Sequence, residues 1–297
     1  MKILLAIDSS EVSGSVIDEV AARPWPAGTV VFVLTVVDLF ALTASVGYIE
    51  AFVKNENDAA RALVQSAAEK LASHGIETVT QVVEGYPGTS IVEQAKCWDV
   101  DFVFVGSHGH GGIARFFIGS IAREVLRNAR CSVEIVRHAG SEERATAKRV
   151  LLTTDGSAYS EAAAHSVAQR PWPTGTEFKI LSVVDQMIPA YDPFYTSGEL
   201  LTTVLEQNRK QCEEAVDSAR KIVTGAGLAA TTLVFAGSPK WQIIEDAKQW
   251  NADLIVLGSH GRRGLTRVLL GSVSEAVALN APCSVEVIRA PEQLNKN

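Results

Sequence analysis

A chain of 297 residues is long enough for two domains of ordinary size, each with a core of its own. Hydrophobic residues make up 47% and charged residues 21%, and the net charge of −7 excludes broad electrostatic attraction to nucleic acid or an anionic membrane. The four cysteines (Cys97, Cys131, Cys212 and Cys283) form no CxxC pair and have no His at zinc spacing, so they predict buried thiols in a reducing compartment.

The first apolar run, residues 3–7, is stopped by Asp8 before it reaches signal-peptide length, and no small-residue cleavage site follows. Residues 29–49 are the most apolar stretch, but Asp38 interrupts them and they fall short of a membrane span. A cytoplasmic protein is expected. Residues 3–7 read as a strand, and Asp8-Ser9-Ser10 as the turn into a helix. A second strand follows over residues 30–37. Residues 57–74 place Ala60, Leu63, Val64, Ala67 and Leu71 at helical spacing, with Gly75 as the stop. A third strand ends at Gly85, and Pro87 suits the first turn of the next helix. The fourth strand, residues 102–105, runs into Gly106-Ser107-His108-Gly109. A helix from Ser120 and a fifth strand, residues 132–136, complete the set.

The same order then recurs. Arg23-Pro24-Trp25-Pro26 returns as Arg170-Pro171-Trp172-Pro173, Asp8 as Asp155, and Val36-Val37-Asp38 as Val183-Val184-Asp185. Past Asp185 the spacing grows by five residues, and Gly106-Ser107-His108-Gly109 returns as Gly258-Ser259-His260-Gly261. Residues 101–137 and 253–289 share 17 identities in 37 positions, so the chain is a tandem duplication. The expected layout is a domain over 1–138, a linker over 139–148, a second domain over 149–290 and a tail over 291–297. Strands alternating with helices predict an α/β fold: two repeated, open, twisted, five-stranded parallel sheets covered on both faces. Ligands of such sheets bind at the carboxyl ends of the strands, where the strand order reverses.

Gly106 and Gly109, nine further residues, then Gly119-Ser120 make a loop with two readings. The glycines let backbone N–H groups approach an anion, and the helix opening at Ser120 adds free amides and a positive dipole end. Alternatively they only shape a tight strand-to-helix connection. The Ser120 hydroxyl can cap the helix or donate to a phosphate. Neither copy has the lysine of a P-loop, and the first strand is not followed by a dinucleotide-type glycine cluster. A carboxylate such as Asp8 repels phosphate, so it caps the next helix or acts through sugar hydroxyls or a bridging Mg²⁺. His108 and His260 lack partners at metal-site spacing and read as structural hydrogen-bonding groups. Arg115 and Arg267 either screen phosphate or are solvated. Arg262 and Arg263 make the second loop more basic than the first, where His110 and Gly111 stand. This predicts tighter triphosphate binding in the second half. Phe40, Tyr48 and Phe52, against Tyr191, Phe194 and Tyr195, are lids, partner surface or local packing.

Gly-x-x-Gly, nine residues, Gly-Ser, together with the Asp ending the first strand, resembles the nucleotide-binding branch of the universal stress protein family. The resemblance covers nearly the whole chain twice, as a tandem form. It implies Rossmann-like domains, similar to adenine nucleotide alpha hydrolases, that bind ATP (or ADP or AMP), with Mg²⁺. By the resemblance the triphosphate lies on Gly106, Gly109, Gly119 and the backbone of Ser120 and Ile121. Asp8 meets the ribose or the nucleotide-bound Mg²⁺, Val36 meets adenine through its backbone, Val105 walls the base pocket, and Ala6 is a further nucleotide-binding position. The second copy offers Thr153, Asp155, Val183, Leu257, Gly258, Gly261, Gly271, Ser272 and Val273, with Asp155 as its indirect metal contact. The resemblance also implies that the halves pair through their fifth strands, with a homodimer as a further option. Glu134 and Glu286 either protect that strand from indiscriminate pairing or meet Arg137 or Arg289 across a pseudo-two-fold axis. The expected function is a stress-response sensor or regulatory binding module. The alternatives are a slow Mg-dependent ATPase or nucleotidyl-transfer enzyme, and a nucleotide-free scaffold.

Overall fold

A computed structural model of the chain describes residues 1–38, 50–108, 118–137, 148–185, 198–262 and 270–290. The chain divides into two compact units, Met1–Arg144 and Ala145–Asn297. The first runs β1 (Lys2–Ala6), α1 (Glu11–Ala22), β2 (Val30–Val37), α2 (Glu50–Ser73), β3 (Glu77–Glu84), α3 (Pro87–Cys97), β4 (Phe102–Gly106), α4 (Ser120–Asn128) and β5 (Ser132–Val136). The second runs β6 (Arg149–Thr153), α5 (Ala158–Gln169), β7 (Glu177–Asp185), α6 (Gly198–Gly225), β8 (Ala230–Gly237), α7 (Pro239–Gln249), β9 (Leu254–Gly258), α8 (Ser272–Asn280) and β10 (Ser284–Ile288).

Every strand pair within a unit is parallel, in the orders β3-β2-β1-β4-β5 and β8-β7-β6-β9-β10. The α/β fold of two repeated parallel sheets is therefore as expected. The inner strands are short apolar runs because helices cover both of their faces. Ile3, Leu4 and Leu5 in β1, and Val150, Leu151 and Leu152 in β6, are fully buried. Burying each such side chain contributes about 1.5–3 kcal/mol. In each unit the chain steps outward from the first strand to the third, then crosses back to place the fourth strand on the first strand's other side. That reversal opens a crevice at the carboxyl ends of β1 and β4, and of β6 and β9.

Local chemistry sets most boundaries. Pro87 and Pro239 occupy the first turns of α3 and α7. Helix α2 begins at Glu50 rather than at residue 57, because the exposed Lys54, Asn55 and Glu56 interrupt the apolar period ahead of Asn57. It has 24 residues against 28 in α6, so most of the extra chain in the second copy is helix. Ser157 caps α5, its Oγ accepting from the Ser160 N–H at 3.2 Å.

The repeated Arg-Pro-Trp-Pro motif has a structural role. Trp25 and Trp172 donate from Nε1 to the Val20 and Val167 carbonyls, closing the ends of α1 and α5. Arg23 reaches Glu19 and the fully buried Glu134 of β5, with Nη2 at 2.6 Å from each carboxylate. Arg170 grips the fully buried Glu286 of β10 with two bonds, of 2.9 and 2.7 Å. These two glutamates are thus buried members of ion pairs inside their own halves. The cysteine expectation needs correction. None is in a disulfide, but only Cys212 is buried, while Cys97 is exposed and Cys131 and Cys283 lie between. The sequence shows a thiol's spacing but not which helix face it occupies.

No described helix is long and apolar enough to cross a membrane. Among the described residues no group of three or more His, Cys, Asp or Glu could hold a metal ion.

Candidate functional site

The second half carries a cleft of about 410 Å³ at the carboxyl ends of β6, β7 and β9. All nine positions named from the second copy line it. Thr153 and Asp155 come from the end of β6, Val183 from β7, and Leu257 and Gly258 from β9. Gly261 belongs to the loop, and Gly271, Ser272 and Val273 to the start of α8. Leu181, Val183, Ile243 and Leu257 give the wall an apolar character, while Asp155, Gly261 and the first turn of α8 make its polar end.

Asp155 is fixed by its neighbours. Oδ1 accepts from the Ser157 N–H at 3.0 Å, and Oδ2 accepts from the Arg262 N–H at 3.0 Å. Each oxygen keeps a second acceptor position, so the carboxylate can meet a sugar hydroxyl while it shapes the turn. Asp8 is held differently. Its Oδ1 accepts from the Ser10 N–H at 3.0 Å, from the Ser10 hydroxyl, and from Ser13 Oγ at 2.7 Å. Ser10 therefore spends its hydroxyl on Asp8, and as N-cap of α1 makes no side-chain cap bond.

The glycines divide the labour. Gly271 is the N-cap of α8 and Gly119 of α4, so Ser272 and Ser120 are the first residues inside their helices and neither is the cap. The capping reading of the Ser120 hydroxyl is therefore set aside. The Gly271 N–H donates to the Ser259 carbonyl at 2.8 Å and the Gly119 N–H to Ser107 at 2.6 Å. These amides are committed to closing the loop. The donors open to an anion are those before the first intrahelical bond, which runs from Glu275 N–H to the Gly271 carbonyl. Ser272 itself is exposed. Gly258 makes room for α5 rather than for a ligand, since a Cβ there would stand 2.6 Å from the Tyr159 carbonyl carbon. At Gly261 a Cβ would stand 2.7 Å from Asp155 Oδ2.

His260 is 7% exposed, its Nδ1 lies 3.1 Å from Ser259 Oγ, and its ring lies 4.9 Å from that of Tyr159. His108 repeats the serine contact at 3.0 Å. Burial, aided by the Arg137 guanidinium, pushes the His108 pKa down and favours the neutral ring. Both fit a structural role.

In the first half, Ala6 ends β1 and lies beside Leu34 of β2 and Val105 of β4. Asp8 follows β1, Val36 sits near the end of β2, Gly106 ends β4, and Gly119, Ser120 and Ile121 open α4. These positions gather at the same end of the sheet. Gly109, His110, Gly111, Arg115, Arg263 and Arg267 lie outside the described residues. So do Phe40, Tyr48, Tyr191, Phe194 and Tyr195, the side chain of Phe52, the stretch 138–147 that holds the expected linker, and the tail 291–297.

Sequence reasoning missed Asp185, Asn208, Gln211 and Cys212, all of which line the cleft. The last three stand at i, i+3 and i+4 on one face of α6. Their spacing was readable, but that this face of a long crossover helix borders the crevice was not.

A model of the universal stress protein family matches residues 1–137 and 146–289. A universal stress protein of Mycolicibacterium smegmatis is 27% identical over 297 residues, covering 97% of this chain and 96% of its own length. One from Methanocaldococcus jannaschii is 34% identical over 146 residues, 49% of this chain and 84% of that protein. The crystal structure of a universal stress protein from Archaeoglobus fulgidus superposes with a TM-score of 0.68 at 22% identity. It covers 98% of this chain and 97% of that one, which shows the shared fold.

Proposed function

Because the chain belongs to the universal stress protein family, we propose that it is a sensing or regulatory module that binds an adenine nucleotide, ATP in the first instance. The ligand would sit in the second half's cleft and in the matching region of the first. One observation carries the reading: nine residues named from sequence, drawn from three strands, a loop and a helix start, line a single cleft. Its volume of about 410 Å³ lies within the range usual for small-molecule sites. The apolar wall suits a base, and the first-turn amides of α8 suit phosphate.

Mg²⁺ fits as a passenger on the nucleotide. Asp155, at the polar end, keeps an acceptor position open on each oxygen, and the described residues form no cluster of metal-binding side chains. Asp155 would then hold the ion's outer face, and the ion would supply charge neutralisation at the phosphates. On the resemblance alone, the reading also includes pairing of the halves through their fifth strands and a possible homodimer. Crosslinking and light scattering of the purified chain test both.

The deciding experiment is mass spectrometry of nucleotide released on denaturing freshly purified protein, joined to thermal unfolding with added ATP. ATP at about one hundred times its Kd stabilises the folded state by roughly 2.7 kcal/mol, a rise of about 5–10 °C in the second half's transition. Protein that releases no nucleotide and shows no shift with ATP, ADP or AMP refutes the proposal.

A further inference from the structure

Arg262 follows Gly261 directly and lines the cleft. Its side chain crosses Gly156 to helix α6, where Nη1 donates to Gln211 Oε1 at 2.6 Å and Nη2 to the Gln211 carbonyl at 3.5 Å. Both acceptors are neutral amide oxygens, so these bonds hold the guanidinium in place without cancelling its charge. Its backbone N–H meanwhile ties it to Asp155, on the polar wall of the same cleft.

The seat under this arginine is specific. Gly156 has φ +76°, and a Cβ there would stand 2.9 Å from Arg262 Nη2 and 3.1 Å from Ala215 Cβ. Gln211 supplies the acceptors. The duplication offers an internal comparison, because the buried faces of the two long helices align Cys212, Val216 and Ala219 with Ala60, Val64 and Ala67. In that register the first half has Ala59 where the second has Gln211. By the loop and strand matches it has Ser9 for Gly156 and His110 for Arg262. The cation, its acceptor and the glycine that makes room for it are all replaced together.

Resting on the nucleotide reading above, the geometry points to Arg262 as the residue that makes the second half's cleft select adenine nucleotides by the length of their phosphate chain. Each added phosphoryl group brings negative charge toward a wall that already carries the Asp155 carboxylate. A guanidinium held beside that wall, across Gly156 against the neutral Gln211, opposes the repulsion, and its benefit grows with the ligand's charge. A monophosphate gains least. The first half lacks the cation and its seat, so it lacks this source of selection.

Photolabelling of the full chain with 8-azido-ATP tests this, with ATP or AMP as competitor and labelled peptides assigned to each half. In the unsubstituted protein, ATP should displace second-half label at lower concentration than AMP. Arg262→Gln should cut that preference about tenfold, by weakening ATP and leaving AMP and the first-half peptides unchanged. Gln211→Ala, which removes the seat and keeps the charge, should give a smaller cut in the same direction. The selection is overturned if the unsubstituted cleft does not prefer ATP, or if Arg262→Gln weakens ATP and AMP equally or leaves their ratio unchanged. Unsubstituted protein whose second half takes no label at all overturns the nucleotide reading, and the selection with it.

Discussion

Replacing Gly258 with Ala separates the two uses a glycine can have at the end of β9. A Cβ at this position would lie 2.6 Å from the Tyr159 carbonyl carbon, 2.7 Å from its oxygen and 2.8 Å from the Ser160 nitrogen. These contacts are about 0.6–0.8 Å short of ordinary van der Waals distance, and all three atoms are backbone of the first turn of α5. Relief therefore requires moving the helix. The expected cost is at the top of the overpacking range, about 3 kcal/mol. At roughly 2–4 °C per kcal/mol for a unit of this size, the second half's unfolding transition should fall by about 6–12 °C. Gly106→Ala is the matched control. There the nearest atom is Val12 Cγ1 at 2.8 Å, a side-chain methyl, and the nearest backbone atom is the His108 oxygen at 3.4 Å. Rotation of Val12 should limit the loss to about 1 kcal/mol, or 2–4 °C. Differential scanning calorimetry of both variants without nucleotide gives the comparison. If Gly258→Ala melts within 2 °C of the parent, or no lower than Gly106→Ala, helix packing is not what requires glycine here.

Two further outcomes are expected. Arg170→Met leaves Glu286 buried without the guanidinium that grips it, at a cost of about 3–5 kcal/mol, and Arg170→Met/Glu286→Leu should regain most of it. Denaturant unfolding measures both, and a double variant no more stable than the single one contradicts the ion-pair account. His108 has a folded-state pKa below its unfolded value of about 6.5, so the unfolded chain binds more protons in the window between them. Its contribution to stability is thus present above that window and is lost as pH falls through it. Between pH 7.5 and 5 the parent's Tm should fall more than that of His108→Gln, and parallel slopes would refute the assignment.

Much of this was legible in the sequence because the chain states it twice. Repetition of Asp8 at Asp155, and of the Gly-Ser-His-Gly loop, marks the carboxyl ends of the strands in the sequence itself. Strand and helix types followed from apolar runs and periodicity, which depend only on which faces must leave water. The beginning of α2 was not legible, since the exposed Lys54, Asn55 and Glu56 interrupt its apolar period.

The sequence by itself determined the duplication, the fold class and the residue types at the reversal of strand order, because these rest on local pattern and chain order. Tertiary structure decided what each group is free to do. It spent the Gly119 and Gly271 amides on loop closure, and used the space at Gly258 for α5. It drew the Arg23 and Arg170 guanidiniums to glutamates more than a hundred positions away. It also set Arg262 across Gly156 against Gln211. Such outcomes depend on which side chains meet across the sheet and between helices, and no spacing along the chain encodes those distances.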